Sequence, residues 1–81
     1  MPRVSAKEDH DQLLPRLGAA VRARRKAMQM SQESLADLAG IDRSHMGRIE
    51  RGERNVTILN LARIAAAMEV SPSDPLASAG L

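Results

Sequence analysis

The sequence predicts an all-α fold of five short helices, and three observations carry that reading. Ala, Leu, Arg and Met dominate the 43% apolar content and its surroundings, β-branched residues are few, and aromatic residues are absent altogether. Apolar residues recur at spacings of three and four along most of the chain rather than at alternate positions. Serine, threonine and aspartate stand immediately before these periodic runs, and glycine follows one of them, which is the punctuation of helix starts and stops.

The first helix draws on Leu13, Leu14, Leu17, Val21 and Met28, runs from about residue 12 or 14 to residue 27 or 28, and tolerates Pro15 only because it falls in the opening turn. Ser31 caps a second helix over residues 32–39, and Gly40 ends it by supplying a left-handed conformation cheaply. Asp42 caps a third over residues 43–50 or 51. The stretch from Arg51 to Val56 has turn composition and no period, so it reads as a loop. Thr57 caps a fourth helix whose stripe is Ile58, Leu61, Ile64, Ala65 and Met68. Ser71 and Pro72 open a short fifth one, with Pro75 falling near its fourth position, where proline begins to cost hydrogen bonds. Residues 1–11 are polar and aperiodic and read as a flexible N-terminal arm, leaving residues 12–81 as the folded domain.

Several function classes drop out on composition. With 81 residues the chain buries roughly 60 to 65% of its unfolded surface, enough for one modest core. Zero cysteines exclude disulfides and thiolate metal sites, and His10 and His45 are the only soft ligands, so no metal or cofactor is expected. The longest apolar run, Ile64 to Met68, is far too short for a membrane span and no signal region follows the first residues, so a cytoplasmic location is expected. Asp42, Ser44 and His45 are the residue types of a hydrolase triad, but neighbours on one helix do not face each other, and no enzymatic activity is expected. His10 between Asp9 and Asp11 reads as solvated, and Met28, Met30, Met46 and Met68 as core filler in place of aromatics.

The net charge of +2 conceals a concentration of basic residues. Residues 16–63 hold ten Lys and Arg against five Asp and Glu, while both flanks are net acidic. A basic middle is the footprint of a polyanion-binding face. The segment Gln32 to Glu50 locates it: two helices across a tight glycine turn share a seam of Leu35, Leu38, Ile41, Met46 and Ile49, with small Ala36 at the crossing. Burying Met46 and Ile49 turns Arg43, Ser44, Gly47 and Arg48 outward. Two arginines with forked donors and two small residues that permit close approach suit the DNA major groove, so these four are the base-reading candidates. Ser31, Gln32, His45, Arg51, Arg54 and Asn55, with arginines of the first helix nearby, are the phosphate-binding candidates.

These same residues carry a family resemblance. The SQESLADLAGI and IERGERN stretches, the glycine turn and the small residue at the crossing make residues 13–70 resemble the phage-repressor-like (Xre or Cro type) helix-turn-helix domains. That resemblance implies a five-helix DNA-binding module, a phosphate grip by Gln32, base contacts from Arg43, Ser44 and Arg48, and a buried ion pair between Arg25 and Glu50. The short length and the DRSHM and RNVTILNL segments are also similar to controller proteins of restriction-modification systems. The chain departs from the family pattern in the small residue at Gly47, the absence of an aromatic near His45, and Pro75 in the last helix.

The function expected is a transcriptional regulator that binds double-stranded DNA at a palindromic operator as a homodimer, because one recognition helix reads too few base pairs. Leu59, Met68, Val70, Leu76 and Leu81 are the apolar candidates for the dimer interface, with completion of the monomer core as the alternative for Val70 and Met68. Glu33 and Asp37, one turn apart beside the DNA face, are candidates for contact with RNA polymerase. The alternative is a protein-interaction module, such as an antitoxin, on the same scaffold.

Overall fold

The computed structural model describes residues 5–81. Among them the helices are α1 (Leu13–Ala27), α2 (Gln32–Ala39), α3 (Arg43–Glu50), α4 (Ile58–Ala67) and α5 (Ser73–Ser78), preceded by a single 3-10 turn over Ala6–Glu8; no strand occurs among the described residues. α1 lies across α3 and α5, while α2 packs on α3 and α4.

The starts of α2 and α4 are each built by a local side chain. Ser31 Oγ accepts from the Ser34 amide at 3.0 Å and Thr57 Oγ1 from the Asn60 amide at 3.1 Å, satisfying backbone donors that have no partner within the helix. α1 starts differently. The residue before it, Gln12, has φ of 59° and offers no cap, and Asp9 reaches in instead, accepting from the Leu13 and Leu14 amides at 2.8 Å each. Pro15, third in the helix, has no amide to satisfy.

The described part of the expected flexible arm, residues 5–11, carries local hydrogen bonds. It contains the 3-10 turn, a hydrogen bond from the Ser5 amide to Glu8 Oε2 at 3.3 Å, and the cap of α1. Asp9 had no apolar period to announce it, which is why pattern alone leaves it out. Residues 1–4 of that arm lie outside the described residues.

The turn between α2 and α3 works as composition predicts. Gly40 sits at φ of 69°, its amide and that of Ile41 close onto the carbonyls of Asp37 and Ala36 at 3.2 and 2.9 Å, and Ile41 packs on the core. The core itself is Val21, Leu35, Met46, Ile49, Ile64 and Met68, all fully buried, with Ala36 and Ala39 where helices approach. Burial of each of these larger side chains stabilises by about 1.5 to 3 kcal/mol. Met28 and Met30 pack against it from the edge.

Two features of the packing lie outside the helical pattern. Leu38, expected in the seam, is 67% exposed, because Leu35, Ala36 and Ala39 already occupy the inward arc of an eight-residue helix. Gly18 in the middle of α1 meets α3 backbone to backbone: a β-carbon there would stand 2.4 Å from the Ile49 carbonyl oxygen and 2.5 Å from that of Glu50. The absence of a side chain lets α1 seat on the end of α3.

α5 begins one residue later than expected, although Pro72 already has helical dihedrals of −57° and −25°. Pro75 is consequently third in the helix, where a missing amide costs nothing, and its ring is buried.

Candidate nucleic-acid interface

Asp42 positions α3. With extended dihedrals of −60° and 139°, it accepts from the Ser44 amide at 3.1 Å and from the Ser44 hydroxyl, both through Oδ2. The Ser44 hydroxyl and then the His45 amide hold its carboxyl below the usual carboxylate range. Asp42 thus binds Ser44 directly, with no imidazole between them, which is not the order of a hydrolase triad.

From this start, Met46, Ile49 and Glu50 point inward and are buried, while Arg43, Ser44 and Arg48 are exposed and His45 is half-buried. Gly47 is not open to solvent on the outward face assigned to it. It is buried on the flank toward α2, where a β-carbon would lie 3.2 Å from both Gln32 Oε1 and Arg51 Nη1. By helix angle Gly47 lies about 40° round from Arg43, between Arg43 and Ser44, and what covers it is the ends of the Gln32 and Arg51 side chains.

Gln32, at the start of α2, is held from below. Arg25 and Glu50 form a buried two-point ion pair, Nε to Oε2 at 2.7 Å and Nη2 to Oε1 at 2.9 Å. Arg25 Nη1 donates to the Met30 carbonyl at 2.9 Å, and Gln32 Nε2 donates to Glu50 Oε1 at 3.1 Å. Hydrogen bonding to Glu50 raises the Arg25 pKa further, so its charge is permanent. The network ties α1, the turn before α2, α2 and α3 at one point.

The loop after α3 gathers cations around one acid. Arg51 Nε and Nη2 donate to Glu53 at 3.0 and 3.2 Å; both side chains are more than half exposed, and the pair raises the Arg51 pKa and lowers that of Glu53. Arg48 and Arg54 act on Glu53 through space as well. Arg54, Asn55 and Ser31 are exposed. Arg51, a phosphate-binding candidate, is thus exposed and paired with Glu53. Glu53 escapes a reading that looks only for basic residues, although its place between two arginines signals it.

The other predicted positions divide. Among α1 arginines, Arg25 is buried and Arg24 Nη2 donates to the Met68 carbonyl at 3.3 Å, closing the end of α4 rather than standing free beside the interface. Of the apolar residues assigned to a dimer contact, Met68 is fully buried in the core with Val70 half-buried against it, and Leu76 is half-buried against Leu17, Leu61 and Ala79, because α5 folds back over α1. Leu59 and Leu81 are 68% and 55% exposed. Ile58, 70% exposed, joins them; periodicity had placed it inward. Glu33 and Asp37 are exposed on the outer side of α2. Among the described residues no group of acids and histidines is placed to hold a metal, and no helix is long and apolar enough to cross a membrane.

Comparison with known proteins agrees with this architecture. The helix-turn-helix family model matches residues 21–74. Control protein C.SmaI of Serratia marcescens is 40% identical over 65 residues, covering 80% of this chain and 77% of that protein; control protein C.BamHI of Bacillus amyloliquefaciens is 45% identical over 47 residues, 58% of each. The solved structure of the restriction-modification controller protein C.AhdI from Aeromonas hydrophila has a TM-score of 0.76 at 39% identity, covering 82% of this chain and 98% of that one. The clp gene regulator ClgR of Corynebacterium glutamicum reaches 0.80 at 29% identity, covering 84% and 88%. The chain belongs to the helix-turn-helix family of DNA-binding transcriptional regulators, and within it to the restriction-modification controller proteins.

Proposed function

We propose that two copies of the chain bind a palindromic operator with α3 of each in successive major grooves, Arg43, Ser44 and Arg48 facing base edges. The observation that carries this is the polarity of α3: Met46, Ile49 and Glu50 anchor one side in the core, and the side left in solvent presents two arginines and a serine. Arginine forks match the O6 and N7 acceptors of guanine. Gln32, Ser31, His45, Arg54 and Asn55 surround that face and supply contacts to phosphate, which set register rather than sequence. Leu59 and Leu81, with Ile58, are exposed apolar residues available to the dimer. By this reading the protein carries out no catalytic step and works in the cytoplasm, where bacterial DNA lies.

Selection of bound sequences from a random DNA pool, followed by band shifts at several salt concentrations, tests the reading. Arg43→Ala should cost about 1 to 3 kcal/mol on the selected operator and relax one position, whereas Arg54→Ala should weaken all sequences alike and lower the salt slope by about one. Equal losses on operator and random DNA for Arg43→Ala would refute the base-reading role. Glu33 and Asp37 lie on the outer side of α2, beside this face, and are proposed to touch RNA polymerase when the regulator activates. A Glu33→Lys variant that binds DNA and still activates fully would remove that role.

A further inference from the structure

The hydrogen bonds at the start of α3 restrict what Ser44 can recognise. A serine hydroxyl has one proton to donate and two lone pairs with which to accept, and in open solvent it turns to suit either kind of base edge. Here the hydroxyl faces Asp42 Oδ2, the same oxygen that takes the Ser44 amide. An ionised carboxylate only accepts, so the proton between these two oxygens is the serine's own. Asp42 stays ionised at neutral pH, since its pKa is lowered by the Ser44 hydroxyl and the His45 amide. The lone pairs of Ser44 are what remains for a partner, on the exposed first turn of the helix.

We infer that Asp42 makes Ser44 an acceptor-only base reader, which selects adenine or cytosine on the strand it faces because their N6 and N4 amines are donors in the major groove, and rejects guanine and thymine, which offer acceptors there. This rests on the proposed placement of α3 in the groove and adds to it a base preference. Arg43, a pure donor one residue earlier, has the opposite preference, so neighbouring residues read complementary edges.

Sequence selection from random DNA with the intact dimer, Ser44→Ala, Asp42→Gly and Arg43→Ala provides the test. Ser44→Ala should flatten one column of the half-site, in which the intact protein prefers adenine or cytosine by about three- to tenfold, the worth of one net hydrogen bond. Asp42→Gly frees the hydroxyl to turn, and guanine or thymine should enter that column to within about twofold. Glycine is tolerated as a helix cap, and a circular dichroism melt checks that the variant folds. If it does not fold, the column lost in Ser44→Ala still decides. A lost column of guanine or thymine overturns the inference, as does an Asp42→Gly profile that keeps the restriction, or a Ser44→Ala profile that matches the intact protein while Arg43→Ala changes it. If Arg43→Ala and Ser44→Ala both leave the profile unaltered, the placement of α3 in the groove fails first and this inference with it.

Discussion

Gln32 is tied to Glu50: its Nε2 donates at 3.1 Å to the same carboxylate oxygen that receives Arg25 Nη2 at 2.9 Å. A side chain at the edge of the proposed recognition face thus takes its orientation from a charge buried in the domain. Stability and recognition share one carboxylate, and substitutions there separate the two.

Glu50→Ala should destabilise folding by about 3 to 5 kcal/mol, because it leaves the guanidinium of Arg25 buried without its partner. Urea denaturation measures it. The double variant Arg25→Met with Glu50→Leu should recover most of that loss, since apolar replacements relieve the desolvation of both charges, yet bind DNA weakly with Gln32 unanchored. Full DNA affinity in the refolded double variant would show that the anchor is dispensable.

Gly47→Ala should act in the reverse sense. A β-carbon at 3.2 Å from Gln32 Oε1 and Arg51 Nη1 displaces the ends of two side chains rather than backbone, and alanine favours a helix interior by up to about 1 kcal/mol. The expected outcome is equal or greater thermal stability with weaker binding to all DNA sequences alike. A loss confined to one base position would instead restore Gly47 to the base-reading set.

Met68→Ala and Leu59→Asp distinguish core from contact surface. Met68 is fully buried, so its truncation should cost about 2 to 5 kcal/mol by urea denaturation through the cavity left behind. Leu59 is 68% exposed, so aspartate there should leave the fold of the protomer intact and shift sedimentation from dimer to monomer. An Leu59→Asp variant that remains dimeric at micromolar concentration would move the dimer contact elsewhere.

The Asp42 cap predicts an acid dependence of known sign. A carboxyl whose pKa is lowered in the folded state adds stability above its unfolded pKa and loses it as pH falls through the folded value. The difference in Tm between the intact chain and Asp42→Ala should therefore be full at neutral pH and narrow below about pH 4, the ordinary carboxylate range. A difference constant from neutral pH to pH 2.5 would mean that the cap acts without its charge.

Helix positions were legible because they depend on neighbours in the chain. Ser31, Thr57 and Asp42 reach amides two or three residues on, and Gly40 turns the backbone where it stands, so spacing alone reveals them. The outward face of α3 was legible for the same reason at Arg43, Ser44 and Arg48, and the cover over Gly47 was not, because it comes from the side-chain ends of Gln32 on α2 and Arg51 at the end of α3. Asp9 caps α1 from outside any apolar period, and Glu53 was hidden by a search for cations.

By itself the sequence determined the helical class, the order and extent of the helices, the glycine turn and the concentration of arginines, all of which follow from propensity, capping and period within a few residues. Tertiary structure alone decided that Gly18 must lack a side chain, that Leu38 belongs to the surface, and that Arg51 is paired while Gln32 is anchored on Glu50. Those outcomes depend on which helix lies opposite, and a one-dimensional pattern fixes the face a residue takes on its own helix without fixing what covers that face.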